Sequence, residues 1–325
     1  MSFGVAIIGA GLIGAKRAAS LPDNAVLRTV FDEDHERARK LAQSIPGAIA
    51  TDSLEAALAD PEIRLVIVAT PHNRLSTIGI AALERGHHVL VEKPGAHRLD
   101  ALLALQQAAT AAERRVRVGF NHRFHPSFLQ AREIIASGTY GDVFSIRARY
   151  GHGGRTGYER EWRAQREISG GGELIDQGLH LIDLVRYLAG DVSLAFAELR
   201  TDFWAMEVED NAYLALRTGA GAFAWLHASW TEWKNLFSFE VAMRDAKFEV
   251  NGLGGSYGTE QATLYVMGPE MGPPAATTQE WVAPDASWAA ELADVIVDID
   301  GGDAIGADLD DCLAAFRIVD EAYAR

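Results

Sequence analysis

Phe3-Gly4-Val5-Ala6-Ile7-Ile8-Gly9-Ala10-Gly11-Leu12-Ile13-Gly14 is the stretch that decides the reading of this fold. An apolar, strand-like run stops at a glycine turn, and a helix-like pattern, Leu12–Ser20, starts inside that turn. Glycines spaced as Gly9, Gly11 and Gly14 between a strand and a helix predict a dinucleotide site. Gly9 permits the tight turn, Gly11 lets a pyrophosphate approach the backbone, and Gly14 lets helix and strand pack closely, with Leu12 and Ile13 between them. The anion then meets backbone N–H groups that have no partner at the helix start. Glycines that merely turn the chain are the blander alternative, weakened by the strand before them and the helix after.

Outward from this turn, short apolar runs alternate with helical patterns through residue 118. The runs are Phe3–Ile8, Val26–Phe31, Ala48–Ala50, Leu65–Ala69, His88–Val91 and Val116–Val118, continuous enough to be buried on both faces. This predicts a doubly wound parallel α/β sheet over 1–120. Asp32 ends the second run roughly twenty residues on, where a carboxylate accepts from the adenosine ribose. Asp32-Glu33-Asp34 repels a 2′-phosphate, so NAD is expected over NADP, with Arg37 and Arg39 as the residues that argue the other way. Thr70-Pro71-His72-Asn73 follows the fourth run and is expected at the cofactor, although His72 is equally suited to a turn or cap. Glu92-Lys93-Pro94 follows the fifth. Lysine at the end of a buried strand needs a partner or a task, and its ammonium suits a reacting hydroxyl.

After Gly119 the pattern changes. Val143–Tyr150, Leu194–Thr201, Asn211–Thr218, Ala222–Trp230, Leu236–Met243, Lys247–Asn251 and Ala262–Val266 are strand-like and follow one another, mostly without helices between them. They predict a second, α+β domain over 121–325 built on a largely antiparallel sheet, with a final helix at about 309–324. In the first of these strands Phe144, Ile146, Ala148 and Tyr150 are expected on one face, and Gly268–Thr278 reads as a surface loop. Gly170-Gly171-Gly172 leads into a helix, Glu173–Leu188, on which Asp176, His180 and Asp183 share a face. Asp176 is spaced to fix the tautomer of His180, and a histidine so held suits a general base. A solvated polar face is the alternative, and the glycines, which make room for a ligand or another backbone, tip the choice.

Chain-wide numbers narrow the field. A net charge of -15 and a pI near 5.1 argue against nucleic acid. No apolar run reaches the ~18 residues of a membrane span. The start of the chain lacks a signal-peptide pattern, and the lone Cys312 allows no internal disulfide, so the cytoplasm is expected. No metal site is expected.

Taken together, the glycine turn, Glu92-Lys93-Pro94, Asn121-His122-Arg123-Phe124-His125-Pro126 and the stretch Gly170–Asp183 resemble the Gfo/Idh/MocA family, named for glucose-fructose oxidoreductase and inositol dehydrogenase. The resemblance covers essentially the whole chain. It implies a Rossmann domain followed by an open-faced sheet through which members pair into dimers or tetramers. It implies that Lys93 orients the reacting hydroxyl and that Asp176 and His180 form the acid–base pair. Ser76 departs from the histidine that many members carry there. Expected substrate contacts are Lys93, Arg123, His152, Arg155, Arg163, Asp176 and His180. The arginines at 155, 160, 163 and 166 suit an acidic or nucleotide-linked sugar, or else an exposed loop of scattered charge. Trp230, Trp233 and Lys234 also suit a sugar pocket, although tryptophan in strands more often packs.

The activity expected is hydride transfer between NAD and a carbinol carbon of a sugar, sugar derivative or cyclitol. An NAD-dependent glycoside hydrolase or lyase that oxidises its sugar transiently would use the same residues. A dinucleotide sensor without catalysis is disfavoured by the intact Lys93, Asp176 and His180. Asp32 predicts that NADH binds at least about tenfold more tightly than NADPH, a difference of about 1.4 kcal/mol. Titrating the nicotinamide fluorescence of both cofactors checks this, and equal affinities would turn attention to Arg37 and Arg39.

Overall fold

The computed structural model describes Phe3–Arg325 and divides into two compact units. The first runs through Asn121 and also takes in Trp288–Leu313; the second is His122–Ser287 with Ala314–Arg325. The sequence reading assigned everything beyond 120 to one domain. Apolar packing explains the difference: Leu292, Val295 and Ile296 join the core of Phe3, Val5, Ile7, Leu27, Val30, Leu65 and Ile67.

In the first unit β1 (Phe3–Ile8), α1 (Leu12–Ala19), β2 (Ala25–Phe31), α2 (His35–Gln43), β3 (Ile49–Ala50), α3 (Leu54–Ala57), β4 (Ile63–Val68), α4 (His72–Glu84), β5 (His88–Glu92), α5 (Leu99–Ala112) and β6 (Val116–Gly119) alternate as expected. Their parallel sheet has the order β3-β2-β1-β4-β5-β6. The order reverses between β1 and β4, and a doubly wound sheet binds its ligand at such a switch point. Residues 9–14 and 70–73 follow these two strands. Gly9 has φ +100°, and a Cβ on Gly14 would come 1.8 Å from the Gly9 carbonyl oxygen, so the turn and its packing both require glycine.

The unit's largest buried polar side chain is Arg17. Its Nε donates to Glu92 at 2.6 Å and its Nη1 pairs with Glu291 at 2.6 Å, while its guanidinium lies 4.6 Å from the Trp288 ring centroid. Burial works to lower the Arg17 pKa, but the two carboxylates outweigh it and the pKa is raised. The helix of the glycine turn, the residue before Lys93, and α9 (Ser287–Ile299) are thereby fixed to one another.

The second unit holds α6 (Pro126–Ala136), β7 (Val143–Gly151), α7 (Arg166–Ser169), α8 (Leu179–Ala189), β8 (Val192–Arg200), β9 (Asn211–Thr218), β10 (Phe223–Ser229), β11 (Leu236–Met243), β12 (Ala246–Asn251), β13 (Glu260–Val266) and β14 (Ala275–Trp281). The sheet order is β14-β13-β12-β11-β7-β10-β9-β8, antiparallel except for β7 against β10. Burial alternates along β11 and β12, so one face is covered and the other open. The open face carries Arg147–Glu240 and Lys247–Glu240 ion pairs and the stacked rings of Phe196 and Trp225.

Two expectations need correction. Phe144 is 58% exposed rather than aligned with Ile146, because the β7–β11 register shifts between Ala242 and Met243 and Phe144 is the unpaired residue. Residues 275–278, read as loop, belong to β14, an exposed edge strand held by backbone pairing to β13 without an apolar face. α9 was not anticipated at all. Among the described residues no helix is long and apolar enough to cross a membrane.

Arg17→Met leaves two buried carboxylates without their guanidinium and is expected to cost about 3–5 kcal/mol of stability. Urea unfolding followed by circular dichroism measures it. The same substitution combined with Glu92→Gln and Glu291→Gln should cost clearly less than the sum of the separate changes, and additive losses would mean that the three do not act as one cluster.

Candidate active site

The dinucleotide edge of the first unit is built for an anion. Gly11 precedes α1 and offers no side-chain cap, and the first turn carries no acidic residue. The helix-start N–H groups therefore remain for an external acceptor. A Cβ on Gly11 would meet nothing within 4 Å, so the space above the backbone is open where a pyrophosphate has to come close. Asp32 closes the end of β2: its Oδ2 accepts from Ala10 N at 2.7 Å and its Oδ1 from Asp34 N at 2.8 Å. A carboxylate has about four acceptor sites, so these bonds leave capacity for ribose hydroxyls. Asp34 caps α2 through Glu36 N and Arg37 N. Arg37 pairs with Asp34 at 3.1 Å and Arg39 with Glu36 at 3.3 Å.

Thr70 and Asn73 are half-buried after β4, Pro71 immediately precedes α4, and His72, its first residue, is 4% exposed. Lys93 is half-buried beyond β5. Glu92 is buried against Arg17, so its carboxylate fixes the backbone that presents Lys93. Residues 9–14, 32, 70–73 and 93 thus follow β1, β2, β4 and β5, on the edge where doubly wound sheets bind their ligands.

The second unit carries the Asp176–His180 face. The expected single α-helix is in fact a π turn, Leu174–Gly178, running into α8. Such turns occur frequently at functional sites. Every residue from Gly171 to Val185 is buried, so the face is not a solvated one. Asp176 lies 3.3 Å from Arg163 Nε. His180 stacks on His122 with ring centroids 3.8 Å apart and planes 20° from parallel. Asp183 takes both Nε and Nη2 of Arg123, at 2.9 and 2.6 Å. His122 Nε2 is 3.1 Å from Tyr150 Oη, and burial pushes that phenol well above its ordinary range, so it stays protonated. His125 hydrogen-bonds Glu260 at 2.8 Å, and Pro126 opens α6.

The glycine triplet makes room for protein. A Cβ on Gly171 would come 1.9 Å from Tyr323 Oη, and one on Gly172 the same distance from the Glu209 carbonyl oxygen. Glu209 accepts from Gly172 N, Leu174 N and Tyr323 Oη, and burial pushes its carboxyl pKa up. These contacts lock the entry into the π turn.

The arginine segment is largely engaged. Arg155 pairs with Glu161 at 2.6 Å, Arg160 with Glu159 at 3.4 Å, and Arg166 donates to the Glu207 carbonyl. Arg163 lies against both Asp176 and the Trp162 ring. Arg155 is the most open of the substrate candidates, its side chain 74% exposed; Arg123 is enclosed with Asp183. His152 is half-buried, accepts from Gly154 N at 2.9 Å and packs its edge on Tyr158. The parts played by His122, Tyr150 and Glu209 were not read from the sequence. Each meets its partner across a long stretch of chain, and no local spacing announces that.

Comparison with known proteins agrees with this geometry. Residues 3–120 match the model of the oxidoreductase family with an NAD-binding Rossmann fold, and residues 128–257 match that of the GFO/IDH/MocA C-terminal domain. Levoglucosan dehydrogenase of Pseudarthrobacter phenanthrenivorans is 30% identical over 61% of this chain and 54% of its own. D-glucoside 3-dehydrogenase of Escherichia coli is 28% identical over 69% of each chain. The match thus spans only about half of the first relative's length. Among solved structures, GenD2 from gentamicin A biosynthesis, in complex with NAD, superposes with a TM-score of 0.83 at 26% identity, covering 99% of this chain and 93% of that one. Levoglucosan dehydrogenase in complex with NADH and levoglucosan has the same fold, with a TM-score of 0.88 at 23% identity over 100% and 98% of the two chains. The chain belongs to the GFO/IDH/MocA family of oxidoreductases, with an NAD-binding Rossmann domain at its N-terminal end.

Proposed function

We propose that this protein is an NAD-dependent dehydrogenase acting on a secondary alcohol of a sugar, a sugar derivative or a cyclitol, or on the corresponding ketone. The observation that carries the reading is the buried Asp176–His180–Asp183 face, on which a histidine stacks against a second ring and the two carboxylates of the same helical run each hold an arginine. A histidine so fixed in place is equipped for proton transfer. His180 takes the hydroxyl proton, and Asp176 favours the imidazolium that results. Lys93 donates a hydrogen bond to the same oxygen and stabilises its developing negative charge. Glycines 9, 11 and 14, with Leu12 and Ile13, would hold the pyrophosphate, Asp32 the ribose, and Thr70, Pro71, His72 and Asn73 the nicotinamide side. When bound there, NAD would supply the hydride acceptor for the carbinol carbon. His152 and Arg155 are the remaining candidates for substrate contacts, Arg155 for an anionic substituent. The open face of the β7–β14 sheet suits a homodimer or homotetramer, which sedimentation velocity checks; a monomer at micromolar concentration would remove that part of the reading.

A screen of sugars, uronates, nucleotide sugars and inositols, read by NADH absorbance, tests the activity. Cleavage of a glycoside with no net NADH would instead favour the hydrolase or lyase reading. General acid–base catalysis typically contributes 10²–10⁴-fold. His180→Ala and Lys93→Met should therefore each lower kcat by at least ~10²-fold, with NAD affinity nearly intact, and the double variant should lose less than their product. In the native enzyme kcat for oxidation should rise with pH as the imidazole loses its proton, then level off. A His180→Ala variant that keeps more than about a third of kcat would make the histidine structural, since loss of a general base costs far more.

A further inference from the structure

Near the ends of β7 and β10 the second unit exposes two aromatic side chains that its backbone is built to present. Phe203 is 54% and Trp233 68% exposed, and their rings meet at a right angle, 89°, with centroids 4.7 Å apart. The loop that carries Phe203 is pinned from below. Asp210, fully buried, accepts from the backbone N–H groups of Asp202, Phe203 and Trp204 at 2.9, 2.8 and 2.9 Å. Trp204 then donates its indole N–H to the Trp230 carbonyl at 3.0 Å. Beneath it lies a small separate core of Tyr158, Val208 and Trp230, with Trp204 and Met206 packed on it.

Trp233 is held with equal care. Its φ is +60°, a left-handed backbone that a bulky residue adopts only under constraint. Gly153 lies so close that a Cβ there would come 2.8 Å from the Trp233 Cα. Strain of this kind persists where the surroundings over-determine it and clusters at ligand sites. Two preorganised loops thus present an apolar corner to water, an arrangement that covers a ring with little ordering cost.

The position of the corner suggests which ring. The Tyr150 ring lies 6.2 Å from that of His180, and Gly151, His152 and Gly153 lead from Tyr150 to Trp233. Three residues span at most about 10 Å. The corner is therefore within reach of a ring attached to a sugar whose hydroxyl His180 would serve.

We propose that Trp233 and Phe203 form an outer subsite for a second ring attached to the substrate, either a further pyranose or an aryl aglycone, so that the substrate class is a ring-bearing glycoside. This rests on the dehydrogenase reading for the location of the first ring. Both sources of the ring offer the same chemistry, an apolar ring face for an indole to cover.

The test is binding of methyl, phenyl and cellobiosyl probes (methyl β-D-glucoside, phenyl β-D-glucoside and cellobiose) to the enzyme saturated with NADH, which leaves an alcohol no hydride acceptor, measured by calorimetry. The native protein should bind at least one ring-bearing probe about fivefold or more tightly than the methyl glucoside, the scale of a single aromatic contact. Preference for phenyl glucoside over cellobiose identifies an aglycone site, and the reverse a second sugar site. Trp233→Asn, a residue that tolerates the left-handed backbone, combined with Phe203→Ala, should bring that ratio close to one. A native ratio near one, a ratio unmoved by the substitutions, or no binding of any probe overturns the proposal. So does a change of mass in sedimentation, which would make the corner a subunit contact. Because binding is read without turnover, an intact ratio with no NADH formed in a separate assay with NAD would count against the dehydrogenase reading alone.

Discussion

A charge taken out of water must be paired, and in this protein that constraint organises each unit around one guanidinium. In the first unit Arg17 is enclosed by Glu92 and Glu291. In the second, Arg123 is enclosed with Asp183, in contact with the Tyr187 ring. Replacing either arginine would strand a carboxylate in a low dielectric, which costs far more than a surface pair contributes. Such clusters are demanding in geometry, so they fix the elements that supply their members. The elements fixed are α1 and the strand before Lys93 in one unit, and the helix of His180 in the other.

Legibility from sequence follows the range of the interaction. The glycine turn, Asp32 and the parallel sheet were readable because steric and hydrogen-bonding rules act there over a few neighbouring residues. Asp176, His180 and Asp183 were readable as one face because helical spacing is local. What holds that face was not: Arg163, His122 and Arg123 reach it from other elements, and only folding makes them neighbours. The triplet at 170–172 illustrates the limit. Its glycines do permit close approach, but the approaching groups are Tyr323 and the Glu209 backbone, at positions no spacing could name.

Errors in the strands have a similar origin. Phe144 obeys the alternation of β7 on paper, and a single shift in pairing with β11 turns it outward. β14 has no apolar face to read, since an edge strand is held by its backbone. α9 belongs to the first unit because its apolar face completes that core, information carried by residues nearly the whole chain away. Each miss is a pairing decided by tertiary packing against a pattern that was locally correct or locally silent.

The polar and apolar surroundings of the Asp176–His180 face would divide the work that the proposed reaction on a sugar requires. Hydroxyl groups on a ring resemble one another, so orientation has to come from contacts away from the reacting carbon. Rigid backbone supports such contacts better than mobile side chains do, because less freedom is lost on binding. Asp210 and Gly153 act at this level: neither is placed to touch a substrate, yet one holds the loop of Phe203 and the other admits the backbone of Trp233. The loops at 202–204 and 231–235 are each held by a single buried or closely packed group, Asp210 for one and Gly153 for the other. If the proposed reaction holds, selectivity among sugars would reside in how those loops are held, because they fix contacts away from the reacting carbon.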